Sequence, residues 1–375
     1  MKRHAVVSVI VLLAMARPGL AEPAPTNQPA EPFRAAYMHI DQVIGRQTDA
    51  AGRRAALAEA LDAFKASGLR VVMPYVKDTA GKAAYESDVV PARKYKDWDA
   101  LADIMALARE RKLAVWPVIC VLPSGGEKAP AGILLNRPEW ALRNKTGKPI
   151  GYLSPCNPAA RKWMTEMVCE IVRRYEPEGL LLDYLRFPSQ VVQLDPASEA
   201  DFEKQLSSDT PAESTERAAR LGAFKTQGLT ELARMISEET RRIRPGLQIG
   251  LYTWGPHVVA GHNVSQDWKT WAARGYVDMI NVSGYCYRDN YGEKYLEVFE
   301  KRMRQAVQTL KQSGGKARIS LCLGVRTSHG RISEAREIAE YRRLAREAGI
   351  TDVAFFTWTY LQPFLDEAVQ AGYLK

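Results

Sequence analysis

The chain has 375 residues, of which 46% are hydrophobic and 25% charged, with 26 Gly and 21 Pro. These values are ordinary for a globular protein and exclude collagen-like, coiled-coil and wholly disordered chains. The length allows one large domain or two of ordinary size. The net charge of +9 is mild for this length, and the basic runs lack interleaved aromatic residues, so we expect no nucleic-acid partner.

The N-terminus has the pattern of a secretory signal peptide. Basic residues at positions 2–4 precede an apolar run over residues 5–16, and small residues follow it. This run is too short to span a bilayer. We therefore predict a signal peptide over residues 1–21, a Pro-rich lead-in over residues 22–32, and a secreted or periplasmic bacterial protein with no integral membrane segment after cleavage.

Eight short runs rich in β-branched and aromatic residues alternate with eight amphipathic runs after this lead-in. The predicted strands are 33–40, 69–76, 113–122, 179–187, 247–254, 277–285, 317–325 and 352–358. The predicted helices are 53–67, 98–111, 158–175, 215–243, 267–274, 293–313, 333–348 and 363–370. Eight strand–helix units favour an α/β fold, a single closed (β/α)8 barrel over residues 33–375, and the Gly-rich turn of an open nucleotide-binding sheet is missing.

Long connections follow the second, third and fourth predicted strands. Residues 123–156 are rich in Gly, Pro, Lys and Asn, and residues 189–214 are polar. Both segments are too poor in apolar residues to form separate domains. In a parallel barrel the loops that follow the strands carry the active site, so we expect both segments at the functional rim.

The ends of the predicted strands supply the candidate site residues. These positions carry His39, Lys77, Trp116, Asp183, Tyr184, Arg186, Trp254, Asn281, Tyr285 and Trp358. Aromatic rings there could stack on sugar faces while polar groups bind hydroxyl or acetamido groups, which predicts a polysaccharide substrate. The alternative is that these rings only close the barrel. We expect no cofactor and no metal, because the chain has neither a phosphate-binding loop nor a metal-ligand cluster.

Asp183 is the sharpest single signal. Residues 181, 183, 185 and 187 share one face of a predicted strand, and the other three are apolar. An unpaired carboxyl in such a row has a raised pKa, as a general acid requires at neutral pH. The alternative is a buried carboxylate tied to an Arg or to backbone amides for structure alone.

The sequence around this strand resembles a known family. Residues 154–158, the helix that follows and residues 178–188 are similar to the signature of the bacterial glycosyl-hydrolase-like family ten, in which "NPxxPxVR", a helix and "RYxxDGIxxDDYxYP" occur in this order. Weaker similarities lie at residues 33–35, 114–116, 268–277 and 355–358.

This resemblance implies a barrel, export, and hydrolysis of a bacterial glycan such as peptidoglycan. It assigns site positions to Asp183, Tyr184, Arg186 and Pro188. Residues 278–285 are in turn similar to the "DxxNxMxYD" strand of chitinase-like barrels, whose substrate acetamido group is the nucleophile. That similarity implies that Asn281 and Tyr285 contact an acetamido group, although the chitinase "DxxDxDxE" run is reduced here to one Asp.

A glycosidase that uses two carboxylates needs a second acid about 5 to 10 Å from the first. The ends of predicted strands five to eight carry none. The loop candidates are Asp41, Asp78, Asp289 and Glu293, each equally explained as a surface acid or a helix start.

The sequence therefore favours an exported hydrolase of a polymer containing N-acetylhexosamine. Asp183 would be the general acid, with Tyr184 and Arg186 as orienting or substrate-contacting residues and Trp254 and Trp358 as stacking platforms. One alternative is a glycan-binding barrel that has lost its second carboxylate. A weaker alternative is lyase or transferase chemistry with a base among His39, His257 and His329. The polymer, its linkage, the disulfide state and the oligomeric state stay open.

Overall fold

The fold is that of a computed structural model, which describes residues 31–189, 191–207, 214–259 and 264–374. The predicted signal peptide and all but the last two residues of the predicted lead-in lie outside these ranges. Among the described helices, none is both long and apolar enough to cross a bilayer. The residues from Pro32 onward form one compact unit.

Eight parallel strands close into a barrel in chain order, with the first strand paired to both the second and the eighth. The strands are β1 (Arg34–Met38), β2 (Val71–Lys77), β3 (Val118–Cys120), β4 (Gly179–Asp183), β5 (Gln248–Thr253), β6 (Met279–Ser283), β7 (Arg318–Gly324) and β8 (Asp352–Phe356). A short strand, Ala114–Val115, precedes β3 and also pairs with β2. The predicted (β/α)8 barrel is confirmed.

The described residues also contain twelve α-helices, most of which lie between successive strands. They are α1 (Ile40–Ile44), α2 (Ala50–Ala66), α3 (Ala100–Glu110), α4 (Pro158–Tyr175), α5 (Pro196–Ser207), α6 (Ser214–Ile243), α7 (Trp268–Ala273), α8 (Arg288–Tyr291), α9 (Tyr295–Ser313), α10 (Ala335–Glu347), α11 (Trp358–Leu361) and α12 (Leu365–Gln370). Short 3-10 turns lie at Gly132–Leu135, Pro138–Trp140, Pro256–Val259, Gly292–Lys294 and Gln362–Phe364.

Two apolar layers stabilise the barrel, as expected for strands that are buried on both faces. The larger layer lies between strands and helices, and the smaller one fills the barrel interior around Tyr37, Trp116 and Leu181. Trp116, which precedes β3, fills the part of the interior near the amino-terminal ends of the strands. A Cβ on Gly179 would lie 2.3 Å from the Trp116 ring, so only glycine fits beside the indole there.

The motif at residues 154–158 has a structural explanation. The Asn157 side chain accepts hydrogen bonds from the backbone N–H groups of Ala159 (3.0 Å) and Ala160 (3.2 Å) and so caps α4. Its amide also donates to Asp195 at 2.9 Å. The cap therefore ties the start of α4 to the long connection after β4.

The long connections contain elements of their own. The segment after β2 contains the short strands Lys82–Ala83 and Ala92–Arg93, and the segment after β3 contains a hairpin of Ala141–Arg143 and Pro149–Leu153. A further hairpin, Arg326–Thr327 with Gly330–Arg331, follows β7. The peptide bond between Phe356 and Thr357, at the end of β8, is cis.

Candidate active site

A cavity of about 590 Å³ opens at the carboxyl ends of the strands. Its walls contain eight aromatic residues: Tyr37, Tyr75, Tyr184, Tyr252, Trp254, Tyr285, Tyr291 and Phe356. The other described lining residues are Asp183, Arg186, His257, Ser283, Asn290, Arg302, Thr327, Ser328 and His329. Asp183 is the one carboxylic acid among them. We call this space the rim cavity.

Asp183 is the last residue of β4 and is 5% exposed. One carboxyl oxygen accepts a hydrogen bond from the Tyr75 hydroxyl at 2.9 Å, and the other accepts from the Tyr184 N–H at 2.7 Å. Burial raises the pKa of the Asp183 carboxyl, while these two hydrogen bonds and the nearby charge of Arg186 lower it by less. The geometry thus holds a carboxyl in one orientation with its proton affinity increased.

The predicted fourth strand extends to Phe187, but β4 ends at Asp183 because the chain turns at Tyr184. Tyr184 has a φ of 51°, in the left-handed region that residues other than glycine rarely adopt. The turn takes Tyr184 and Arg186 off the strand and into the lining of the rim cavity. The Arg186 guanidinium lies over the rings of Trp254 (4.0 Å) and Tyr184 (5.0 Å).

Tyr285 also lines the rim cavity, two residues beyond the end of β6. Its hydroxyl lies 3.7 Å from the Cys322 sulfur, and its ring is 5.9 Å from that of Phe356. Burial raises the pKa of the Tyr285 hydroxyl well above its ordinary value. The hydroxyl therefore keeps its proton at neutral pH.

Asn281, predicted to contact substrate, lies below the rim cavity. It is fully buried in β6, where its carbonyl oxygen accepts from the Tyr37 hydroxyl at 2.7 Å and its amide donates to Ser320 at 3.0 Å. These bonds join three strands across the barrel. The prediction that Asn281 contacts substrate is wrong. Asn281 and Tyr285 both face the barrel interior, but Tyr285 lies further along the chain and nearer the rim, and only Tyr285 lines the rim cavity.

Two predicted tryptophan sites are core positions. Trp358 follows the end of β8, begins α11, is fully buried and packs on Phe64 with ring centroids 5.1 Å apart. Trp116 lies in the barrel interior beside Phe33, far below the strand ends. Neither residue lines the rim cavity, so the predictions that they contact sugar are wrong. Trp254 does line it.

Lys77 is likewise structural. Its fully buried ammonium donates to the backbone carbonyls of Cys120, at 2.6 Å, and Pro123. These bonds fasten the end of β2 to the start of the long connection after β3. Burial lowers the pKa of Lys77 to about 8, and the side chain does not line the rim cavity.

This lowered pKa makes a prediction about stability. The folded protein releases the Lys77 proton near pH 8, whereas the unfolded chain holds it to about pH 10.5. The contribution of Lys77 to the free energy of unfolding therefore increases as pH rises from 8 to 10.5. Urea unfolding of wild type and Lys77→Met at pH 7, 8 and 9.5 should show the wild type gaining stability relative to the variant. A constant difference across this range would contradict the prediction.

His39 lies beside the rim cavity and outside its lining. Its ring stacks on Tyr75 at 4.7 Å with an interplanar angle of 6°, and it meets Phe356 edge-on at 5.9 Å. Burial and the charge of Lys94 lower the pKa of His39, although Asp41 opposes them. His39 therefore supports Tyr75, which in turn holds Asp183.

The four loop acids lie outside the described lining. Asp41 pairs with Lys94 at 2.5 Å and bonds Tyr95, and Glu293 pairs with Arg288 at 3.2 Å. The Asp78 carboxylate accepts from the Lys82 N–H at 2.9 Å. Asp289 lines a separate cavity of about 420 Å³, on the other side of residues 327–329. None of these four acids therefore lies in the described lining of the rim cavity as a second carboxylate beside Asp183.

The described residues contain neither a cluster of metal-ligating side chains nor a disulfide bond. Within the described ranges, His, Cys, Asp and Glu side chains form no group of three that could hold a metal ion. The five cysteines, Cys120, Cys156, Cys169, Cys286 and Cys322, are all free and buried.

Several lining residues are not predicted by the sequence patterns. Arg302 comes from α9, and Thr327 and Ser328 come from the hairpin after β7, so none of them stands at a strand end. Phe356 carried a usable signal, because it alternates with the inward-facing Ala354 on β8. The helix and hairpin residues carried none.

The bond from Tyr75 gives a second prediction. Because this hydrogen bond lowers the pKa of Asp183, its removal in Tyr75→Phe raises that pKa further. If Asp183 acts as an acid, the alkaline limb of the kcat/KM profile should move to higher pH. Tyr252→Phe, which removes a lining hydroxyl that does not bond Asp183, should leave the limb in place. A limb unmoved or shifted downward in Tyr75→Phe would contradict this reading.

Comparison with known proteins places this barrel in a class. The model of the family Glycosyl hydrolase-like 10 matches residues 39–321, three-quarters of the chain, and the protein belongs to that family. A search of curated protein sequences gives no match.

Solved structures with a similar fold include glycosidases. The glycoside hydrolase domain of PgaB (BpsB) from Bordetella bronchiseptica is similar with a TM-score of 0.67 and 13% identity, over 90% of this chain and 98% of that one. Alpha-L-fucosidase isoenzyme 2 from Paenibacillus thiaminolyticus gives 0.62 and 16%, over 90% and 49%. A beta-galactosidase from the psychrophilic Marinomonas ef1 gives 0.61 and 10%, over 86% and 54%. At these identities the likeness establishes the fold, and it does not bear on the chitinase-like pattern of β6.

Proposed function

We propose that the protein hydrolyses glycosidic bonds in an N-acetylhexosamine-containing bacterial polysaccharide of the peptidoglycan kind. The observation that carries the proposal is the buried, doubly hydrogen-bonded carboxyl of Asp183 at the floor of an aromatic cavity. Membership of a glycosyl hydrolase-like family supports the reaction class. The cavity also has the size and the few convergent polar groups of a ligand site.

In this proposal Asp183 is the general acid. Burial raises its pKa, so a larger share of the carboxyl holds a proton near neutral pH. The Tyr75 hydroxyl and the Tyr184 N–H fix the direction in which the proton is given. Asp183 protonates the glycosidic oxygen as the bond to the anomeric carbon breaks.

The nucleophile in this proposal comes from the substrate. Asp183 is the one carboxyl among the described lining residues, and the 2-acetamido group of an N-acetylhexosamine can attack the anomeric carbon through its own carbonyl oxygen. The Tyr285 hydroxyl, which keeps its proton, would orient that group by donating a hydrogen bond. Water then opens the resulting oxazolinium ring, and the Asp183 carboxylate takes the proton that the water loses.

Aromatic lining residues would hold the sugar rings. Tyr252 lies in β5, Trp254 directly follows that strand, and Tyr184 lies in the turn after β4; all three line the rim cavity. The Arg186 guanidinium lies over one face of Trp254 at 4.0 Å, and a sugar would stack on the opposite face.

The alternative function is glycan binding without hydrolysis. The same single carboxyl favours it, because a barrel that has lost a partner acid would keep the aromatic cavity and lose the reaction. Binding of glycan strands with no new reducing ends would establish it. Reducing-end release would exclude it.

The test of hydrolysis uses purified protein on denuded peptidoglycan strands and on chitin strands. We expect new reducing ends from at least one polymer with wild type and a large loss with Asp183→Asn. Equal turnover by wild type and Asp183→Asn would rule out Asp183 as the acid.

We also infer export to the periplasm or the medium. The inference rests on the N-terminal signal pattern at residues 2–21. Fractionation of cells that express the full chain, with N-terminal sequencing of the product, should find protein outside the cytoplasm that begins near Glu22. Full-length chain confined to the cytoplasm would contradict it.

A further inference from the structure

The rim cavity contains more cationic than anionic side chains. Its described lining carries two arginines, Arg186 and Arg302. Asp183 is the only acid among these lining residues, and it would be neutral in its role as an acid. A bound anion would balance this excess of positive charge.

Arg186 is a buried cation whose described contacts are with rings and one carbonyl. It is 9% exposed, its Nε has no hydrogen-bond partner, and its Nη1 donates to the Phe187 carbonyl at 3.3 Å. Contacts with Trp254 and Tyr184 stabilise the charge only in part. Asp183 is close enough to interact with this charge, but once Asp183 holds its proton the guanidinium has no opposite charge among the described lining residues. A buried charge in that state is costly, so the guanidinium is set to gain from an anionic ligand.

Arg302 lines the same cavity as Arg186. Its Nη1 donates to the Ser283 carbonyl and its Nη2 to the Tyr291 hydroxyl, both at 3.2 Å, which holds the guanidinium at the cavity wall. A Cβ on Gly255 would lie 3.4 Å from Arg302 Cδ. Because Arg186 lies over the ring of Trp254, the two arginines lie beside consecutive residues of the chain.

We propose that the rim cavity recognises a glycan whose sugars carry carboxylate groups, and that Arg186 and Arg302 bind those carboxylates. A guanidinium matches a carboxylate with two parallel hydrogen bonds, which gives both affinity and orientation. This proposal rests on the proposed function and narrows its substrate to acidic N-acetylhexosamine polymers.

The surface next to the rim cavity also carries arginine side chains. The hairpin after β7 lines the rim cavity through Thr327, Ser328 and His329, and its Arg326 and Arg331 line a cavity of about 340 Å³ on the far side. Arg326 lies over the Tyr360 ring at 5.5 Å there. A chain that leaves the rim cavity over this hairpin meets further guanidinium groups, which suits a polymer with repeated carboxylates.

The test compares one glycan skeleton with and without its charge. Denuded peptidoglycan strands with intact carboxylates, and the same strands after carbodiimide activation and borohydride reduction to alcohols, are titrated calorimetrically into Asp183→Asn protein, so that hydrolysis does not interfere. We expect the intact strands to bind about 10-fold tighter or more, since hydrogen bonds between charged groups are the strong ones. The preference should shrink as salt is raised from about 50 to 200 mM.

Variants of α9 make the test specific. Arg302→Gln should lose most of the preference, whereas Arg304→Gln should keep it, because Arg304 is exposed on the same helix and pairs with Glu300 at 2.7 Å. Arg302→Lys keeps the charge but not the paired hydrogen bonds, and should give an intermediate preference. It also serves if Arg302→Gln does not fold.

Equal binding of intact and reduced strands would overturn this inference, and so would a preference that survives in Arg302→Gln. Neither result would contradict the proposed hydrolysis by Asp183, because hydrolysis is tested separately by measuring the release of reducing ends. Selective binding with no hydrolysis by wild type would overturn the proposed function and support acid recognition alone.

Discussion

Replacement of Asp183 by Asn should lower kcat/KM for the hydrolysis of denuded glycan strands by about 10²- to 10⁴-fold, the usual loss when a general acid is removed. The variant should fold, because Asn has the same shape. Its carbonyl oxygen can accept from the Tyr184 N–H, and its amide can donate to the Tyr75 hydroxyl, the groups that now bond the carboxylate. Only the transferable proton is lost.

The matched control is Glu293→Gln. Glu293 is a loop acid that the sequence also suggested, but it is exposed and pairs with Arg288 outside the rim cavity. Its replacement should leave the rate of reducing-end release within experimental error of wild type. Loss of activity in Glu293→Gln with full activity in Asp183→Asn would reverse the assignment.

Truncation of Trp358 should have the largest effect on stability. The indole is fully buried and packs against Phe64, so Trp358→Ala should lower the free energy of unfolding by about 3 to 5 kcal/mol. Urea unfolding followed by circular dichroism measures this loss. An unfolding midpoint unchanged from wild type would contradict a core position.

Trp254→Ala is the paired variant. Trp254 is half-buried at the rim cavity, where its ring contacts the Arg186 guanidinium. We expect a smaller loss of stability than in Trp358→Ala and a weaker affinity for glycan strands, measured in the Asp183→Asn background. Unchanged glycan affinity in Trp254→Ala would remove this residue from the proposed site.

The periodicity of the sequence was sufficient to predict the fold. Each of the eight predicted strands overlaps one barrel strand, because apolar runs that are buried on both faces are distinct from the amphipathic helices between them. The resemblance at residues 154–188 identified the family that the comparison with family models confirms. The hydrogen bonds of Asn157 show why part of that pattern is structural.

The residues at which strands end were less predictable, and these end points determine which side chains line the cavity. A sequence does not reveal that the chain turns at Tyr184 with a positive φ, which places Arg186 in the cavity, or that β8 ends at Phe356, which places Trp358 in the core. Depth along a strand is equally hidden: Asn281 and Tyr285 both face inward, but only Tyr285 reaches the cavity. Arg302 comes from a helix, where no pattern of strand ends could find it.

In the proposed mechanism, one protein carboxyl and the acetamido group of the substrate together break the glycosidic bond. The most direct test is inhibition of reducing-end release by a thiazoline derivative of an N-acetylhexosamine, a stable analogue of the oxazolinium intermediate. Analogues of this kind bind far more tightly than substrate when the enzyme stabilises the state they mimic. We expect competitive inhibition at least about 100-fold stronger than that by the parent sugar. Full hydrolysis that the thiazoline does not inhibit would contradict it.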